Sequence, residues 1–105
     1  MGGENPDYVA RVQRLPCRAR ERFSPCTPCR GRIEAHHAGR RPGIAMKAHD
    51  ETCIPMCHQH HVLELHALAG VFRGFTKETL RAWQDREIVE TQALLADQGS
   101  TPEFW

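Results

Sequence analysis

Two runs of the chain concentrate side chains able to bind a metal or move a proton, Glu34-Ala35-His36-His37 and Cys57-His58-Gln59-His60-His61, with Cys26-Thr27-Pro28-Cys29 lying upstream of both. Cys26-x-x-Cys29 and Cys57-x-x-His60 read as two knuckles. Two intervening residues let a tight turn aim both ligands at one ion, and three thiolates plus one imidazole fill the tetrahedral shell of a structural zinc with no open position. Cys17 lies just before the same loop and can replace Cys26 as the partner of Cys29. Cys53 reads instead as a strand residue packed in the core. Adjacent residues on a strand point to opposite faces, so His36 and His37 can have different tasks. One imidazole can ligate a divalent cation while the other, neutral near pH 7, takes a proton from an attacking water. His61 directly follows the second knuckle, so the ion that fixes His60 also fixes His61.

These side chains need a frame, and local signals predict a small α+β domain. Asn5 before Pro6 reads as an N-cap with proline at the first helical position; Tyr8, Val9, Val12 and Leu15 then share a face of a helix over about 6–15 that ends at Pro16. Cys17 to Gly31, with its prolines and cysteines, reads as an irregular loop. Short strands are expected at Arg32 to His37 and Thr52 to Met56, with Pro55 at an edge or strand end, and Gly39 to Ala48 reads as a mobile loop. Val62, Leu65 and Leu68 predict an α-helix from His58 to Ala69, ended by Gly70. Thr76 is expected to cap a last helix over about 77–97, its apolar arc formed by Leu80, Trp83, Ile88, Leu94 and Leu95. Phe104 and Trp105 in the tail are candidates to dock on the core.

At 105 residues the chain is read as one domain, short enough for a metal staple to matter. Five cysteines, an odd number set among seven histidines, argue for metal thiolates over a disulfide framework. No apolar run is long enough to span a membrane and no secretory pattern opens the chain, so a soluble, cytosolic protein is expected. The net charge of +1 conceals an asymmetry: between Arg11 and Lys47 ten basic residues face two acidic ones, a local balance of +8. Such a block suits phosphate-backbone binding.

The His pair on a first strand, followed after a second short strand by C-x-x-H-H at a helix start, resembles the HNH nuclease family over about Cys26 to Gly70. More narrowly, "LPC" at Leu15 to Cys17, "EAHHAGRR" at Glu34 to Arg41 and "CIPMCHQHH" at Cys53 to His61 look like the phage RecA-dependent recombination-enhancement nucleases. The resemblance implies a ββα-metal finger, one catalytic divalent ion (Mg²⁺, Mn²⁺, Ni²⁺ or Zn²⁺) beside the structural zinc, and hydrolysis of DNA phosphodiester bonds, with a recombinase filament as a conceivable partner. It matches His37 to the general base, His36 and His61 to ligands of the catalytic ion, and Glu34 to an acidic helper. His66 is a further candidate ligand, five residues after His61 where one α-helical turn would place it at four. Thr52 stands where the family has the asparagine that orients the base, and Thr52 or Asp50 can substitute for it. Arg40, Arg41, Lys47 and Arg32 are expected to hold the nucleic-acid backbone. Two rival readings are a zinc-binding nucleic-acid or protein-interaction module that does not cleave, and a zinc hydrolase of another class, for which no H-E-x-x-H helix is present.

Overall fold

The structure, a computed structural model, describes residues 5–39 and 50–99. The expected mobile loop, with Arg40, Arg41 and Lys47, and the tail residues Phe104 and Trp105 lie outside the described residues. The described chain runs through α1 (Pro6–Val12), α2 (Arg18–Arg22), β1 (Ile33–His37), a 3₁₀ turn (Asp50–Thr52), β2 (Cys53–Cys57), a π-helix (Gln59–Leu65), a second 3₁₀ turn (Gly70–Phe72) and α3 (Lys77–Gly99). The result is a small mixed α+β fold around a two-stranded sheet. Among the described residues no helix is long and apolar enough to cross a membrane.

α1 starts as the sequence predicts, with the Asn5 side chain accepting the Tyr8 N–H at 3.1 Å and Pro6 opening the helix. It is shorter than predicted, because the chain turns after Val12 to bury Leu15 beside Val12, Cys53 and Leu95. The segment read as an irregular loop from Cys17 contains the short helix α2. Tertiary pairing accounts for it: Arg18 and Arg22, one turn apart, each place Nε 2.7 Å from an oxygen of the Glu87 carboxylate, which is wholly buried on α3. Two residues of the basic block therefore serve the interior.

The strands pair antiparallel with Glu34 opposite Met56, Ala35 opposite Pro55, His36 opposite Ile54 and His37 opposite Cys53. Every residue of β2 is buried, since both its faces are covered. Ile54 and Met56 pack in the larger cluster with Cys17, Ala19, Leu65, Phe72 and Trp83, while Cys53 packs against α1 and Leu95. Pro55 sits within the strand, and in the two-stranded sheet of the described residues its missing N–H falls on the edge of β2 away from β1, where it removes no ladder bond.

α3 carries the predicted arc, with Thr76 accepting the Thr79 N–H at its start and Trp83 and Leu95 buried. The Phe72 ring meets Phe23, Phe75 and Trp83 edge-on at centroid distances of 5.3, 5.3 and 5.0 Å. Such pairs contribute about 0.5–1.5 kcal/mol each beyond area burial. Here they also fix α3 at Trp83, and hence its neighbour Gln84, against the sheet.

The segment predicted as an α-helix from His58 to Ala69 is a π-helix over Gln59–Leu65. Its bonds run five residues back, from the His66 N–H to the His61 carbonyl at 3.2 Å and from the Ala69 N–H to the Glu64 carbonyl at 2.9 Å. The wider turn breaks the predicted apolar stripe: Leu65 is buried, but Val62 and Leu68 are exposed.

Removing the Glu87 carboxylate leaves the buried Arg18 guanidinium unpaired, so Glu87→Ala is expected to destabilise the fold by about 3–5 kcal/mol. Glu90→Ala, which removes a half-exposed partner 3.4 Å from Arg22, should cost under about 1 kcal/mol. Urea denaturation of the metal-loaded protein reads both, and equal effects would contradict the assignment of Glu87 as the buried anchor.

Candidate functional site

A cluster of three sulfurs and one imidazole lies where α2, the Cys26–Cys29 loop, β2 and the π-helix converge. The ligand atoms of Cys17, Cys29, Cys57 and His60 all lie within 4.8 Å of one another, a set that can hold a metal such as zinc. His60 is fully buried, with Nδ1 at 3.0 Å from Cys57 Sγ and 3.6 Å from both Cys17 and Cys29. The His60 backbone N–H also points at Cys57 Sγ, at 3.5 Å. Burial first, and then the neighbouring sulfurs, push the Cys29 thiol up to about 12; burial likewise raises Cys17. A set so crowded becomes compatible with thiolate when a cation compensates it. The donors fit a closed tetrahedral zinc site.

The structure takes the alternative that places Cys17 in this set and Cys26 outside it. Cys26 Sγ lies on the other edge of the His60 ring, 3.3 Å from Nε2 and 3.6 Å from the Ala19 carbonyl. The reason is tertiary: α2 begins directly after Cys17, and its clamp on Glu87 draws Cys17 into the core. Glu64 stands behind the same ring at 3.9 Å, a residue the sequence reading did not single out. Its carboxylate accepts the Val71 N–H and the Gln59 side chain. Gly70, at φ +55°, passes so close that a Cβ there would meet the Glu64 carboxylate.

The next residue along, His61, belongs to a second group. Ligand atoms of His36, His61 and His66 lie within 4.8 Å of one another, with ring centroids 4.7 to 5.5 Å apart. The π-helix brings His66 in, because its five-residue hydrogen bonding puts His61 and His66 one turn apart. The five-residue spacing thus fits this backbone, where four would fit an α-helix.

The partners on the far sides of these rings fix their tautomers. Glu34 accepts from His58 Nδ1 at 2.9 Å and from His61 Nδ1 at 2.7 Å, and these hydrogen bonds hold its carboxyl below the usual carboxylate range. His61 therefore carries its proton on Nδ1. Gln84 Oε1 lies 2.6 Å from His36 Nε2 and accepts its N–H. The two remaining nitrogens, His36 Nδ1 and His61 Nε2, face each other at 3.1 Å, each presenting a lone pair. A cation between them resolves that opposition. Burial lowers His36 to about 4 and also lowers His66, which disfavours a second proton on either of those rings. A metal ion ligated by imidazoles suits the geometry, and Glu34 and Gln84 are then the outer partners that orient its ligands. Gln84 had no local signal in the sequence; only the packing of α3 brings it to His36.

His37 lies on the opposite face of β1 from His36, exposed, with Nε2 2.7 Å from Asp50 Oδ1. Asp50 Oδ1 thus accepts from the His37 ring, and with Cys53 the pair forms a third group whose ligand atoms all lie within 4.8 Å of one another. Thr52 supports the strand end: its carbonyl accepts the Ala38 N–H at 3.2 Å, and its side chain lies where a Cβ on Gly39 would fall, 2.5 Å from its Cβ and Oγ1. Cys53 is buried opposite His37 in the register, as expected of a core strand residue. Arg32 is exposed just before β1, its carbonyl accepting the His58 N–H at 3.1 Å. Compared with protein-family models, with curated proteins and with solved structures, the chain finds no match in any of the three.

Cys17→Ser is expected to lower bound zinc well below one equivalent, whereas Cys26→Ser should keep about one; elemental analysis after dialysis distinguishes them, and the reverse result would restore Cys26 to the ligand set. His36 sets a pH dependence of definite sign. Its folded pKa lies below its ordinary value of 6.5, so between pH 6.5 and about 4 the unfolded chain takes up the proton first and stability falls with acidification. Above pH 6.5 that contribution is fully present. In protein free of the second metal, the thermal midpoint should fall from pH 6.5 to pH 5, and less steeply in His36→Asn.

Proposed function

We propose that this protein is a metal-dependent endonuclease of the HNH type, with the ββα-metal arrangement formed by β1, β2 and the π-helix, hydrolysing phosphodiester bonds of DNA. One observation carries the reading: the His36 and His61 nitrogens that oppose each other at 3.1 Å, joined by His66, beside a separately held His37. A non-cleaving zinc module needs the Cys17, Cys29, Cys57 and His60 set alone and gives no account of three converging imidazoles with outer partners. The HNH-like order of the motifs along the chain supports the same reading.

A divalent ion held by His36, His61 and His66 would supply positive charge for the developing phosphate charge and the leaving oxygen. His37 donates Nε2–H to Asp50, which leaves Nδ1 with a lone pair for proton abstraction. Its exposure, with 46% of the side chain accessible, leaves that nitrogen open to a water at the substrate. Glu34 acts through His58 and His61, as a carboxylate that orients a ligand. Arg32, with Arg40, Arg41 and Lys47 outside the described residues, supplies backbone-neutralising charge without reading sequence. The thiolate cluster anchors His60 and so the start of the helix bearing His61 and His66.

The test is plasmid cleavage by the zinc-loaded protein with Mg²⁺, Mn²⁺, Ni²⁺ or EDTA, beside His37→Ala. Nicking should require an added ion, and loss of the base should slow it by about 10² to 10⁴ with about one zinc retained. Zinc-replete protein that cleaves neither DNA nor RNA with any ion would sink the nuclease reading and favour a binding module.

A further inference from the structure

The amino-terminal helix is tied to the histidine read as the base. Asp50 stands between them: Oδ1 accepts from His37 Nε2 at 2.7 Å, and Oδ2 accepts the backbone N–H of Asn5 at 2.5 Å. Asn5 is also the N-cap of α1, and its side-chain amide donates to Glu51 Oε2 at 2.8 Å. One residue thus caps α1 with its side-chain carbonyl oxygen, grips the 3₁₀ turn with its side-chain amide, and holds the second oxygen of Asp50 with its main-chain N–H. Far along the chain, Gln92 of α3 donates to the Glu51 carbonyl at 2.9 Å and fixes the turn from the other side. A carboxylate with both oxygens engaged has little rotational freedom. It accepts only, so the His37 nitrogen facing it must carry the proton.

We propose that Asp50 is the positioning residue for His37, and that Asn5 makes α1 part of the active site by holding the 3₁₀ turn that carries Asp50. The inference rests on the nuclease reading for its kinetic consequence, while the pairing itself is a property of the folded chain. Asp50 acts on the reaction through His37: it selects the neutral tautomer with the proton on Nε2, aims the ring, and leaves Nδ1 as the acceptor. Asn5 acts one step further out. Loss of either leaves the Cys17, Cys29, Cys57, His60 group and the His36, His61, His66 group intact, because neither residue belongs to them; Asp50 belongs, with His37 and Cys53, to a third group of close ligand atoms.

The experiment uses the full chain, zinc-loaded, with ¹⁵N-labelled imidazoles, as wild type, Asp50→Ala, Asp50→Asn and Asn5→Ser. Serine preserves a helix-capping oxygen but removes the amide that reaches Glu51. At pH 8 the wild-type His37 ring should show a single tautomer protonated on Nε2. Asp50→Ala should show a mixture and lower kcat on the order of 10²-fold, with KM, DNA affinity and both metal occupancies unchanged. Asp50→Asn retains an acceptor oxygen and should recover part of the tautomer order and of the rate, and Asn5→Ser should fall between Asn and wild type. Unchanged kcat in Asp50→Ala, or a wild-type ring protonated on Nδ1, would overturn the proposal; so would equal losses in KM and metal content, which mark a merely structural role. If the wild type cleaves nothing, the nuclease reading fails separately, and the tautomer spectra still decide the Asp50 and His37 pairing.

Discussion

Three sulfurs, those of buried Cys17 and Cys57 and half-buried Cys29, and one buried imidazole share the space of a single ion at the junction of four segments. Through Cys17 the cluster holds the start of α2, through Cys29 the loop before β1, through Cys57 the end of β2, and through His60 the start of the π-helix. A domain this small buries a limited apolar core, so a site able to bind a metal at such a junction carries a large share of the order. The functional consequence comes from covalent continuity. His61 is the residue after His60, and any displacement of the anchored imidazole is passed directly to the second histidine group.

The π-helix is the second constraint. Ladder bonds five residues apart widen the turn and put His61 and His66 on one side, at the expense of the apolar stripe that an α-helix would have buried. Val62, Leu63 and Leu68 are left exposed. What offsets that loss is polar closure around Glu64, whose carboxylate receives the Val71 N–H and the Gln59 amide while its carbonyl receives the Ala69 N–H. Such widened turns occur often at functional sites, and here the widening is what gathers three imidazoles.

Acceptors from three separate elements set the proton positions of the histidines. Glu34 on β1 holds His61, Gln84 on α3 holds His36, and Asp50 in the 3₁₀ turn holds His37. Each is an oxygen that accepts an imidazole N–H, and each thereby leaves the opposite ring nitrogen with a lone pair. The same rule gives different outcomes because of where that nitrogen points. For His36 and His61 the freed nitrogens face each other, in a group that could hold a metal ion; for His37 the geometry leaves an exposed ring.

Local sequence determined the capped start of α1, the two short strands, the arc of α3, and the membership of Cys29, Cys57, His60, His36 and His61 in metal-capable groups. These depend on nearest neighbours: cap chemistry, alternation along a strand, and ligands spaced for a tight turn. Tertiary structure decided the rest. Cys17 displaces Cys26 because buried Glu87, 69 residues from Arg18, pulls α2 into place. His66 joins His61 because the chain widens into a π-helix, a choice that the apolar pattern at Val62, Leu65 and Leu68 argues against and that closure around Glu64 and Gly70 supports. Gln84 and Asp50 become partners of His36 and His37 only when α3 and the 3₁₀ turn pack beside β1. Spacing along the chain encodes what one turn can bring together, whereas an acceptor 48 residues from its donor is found only by folding.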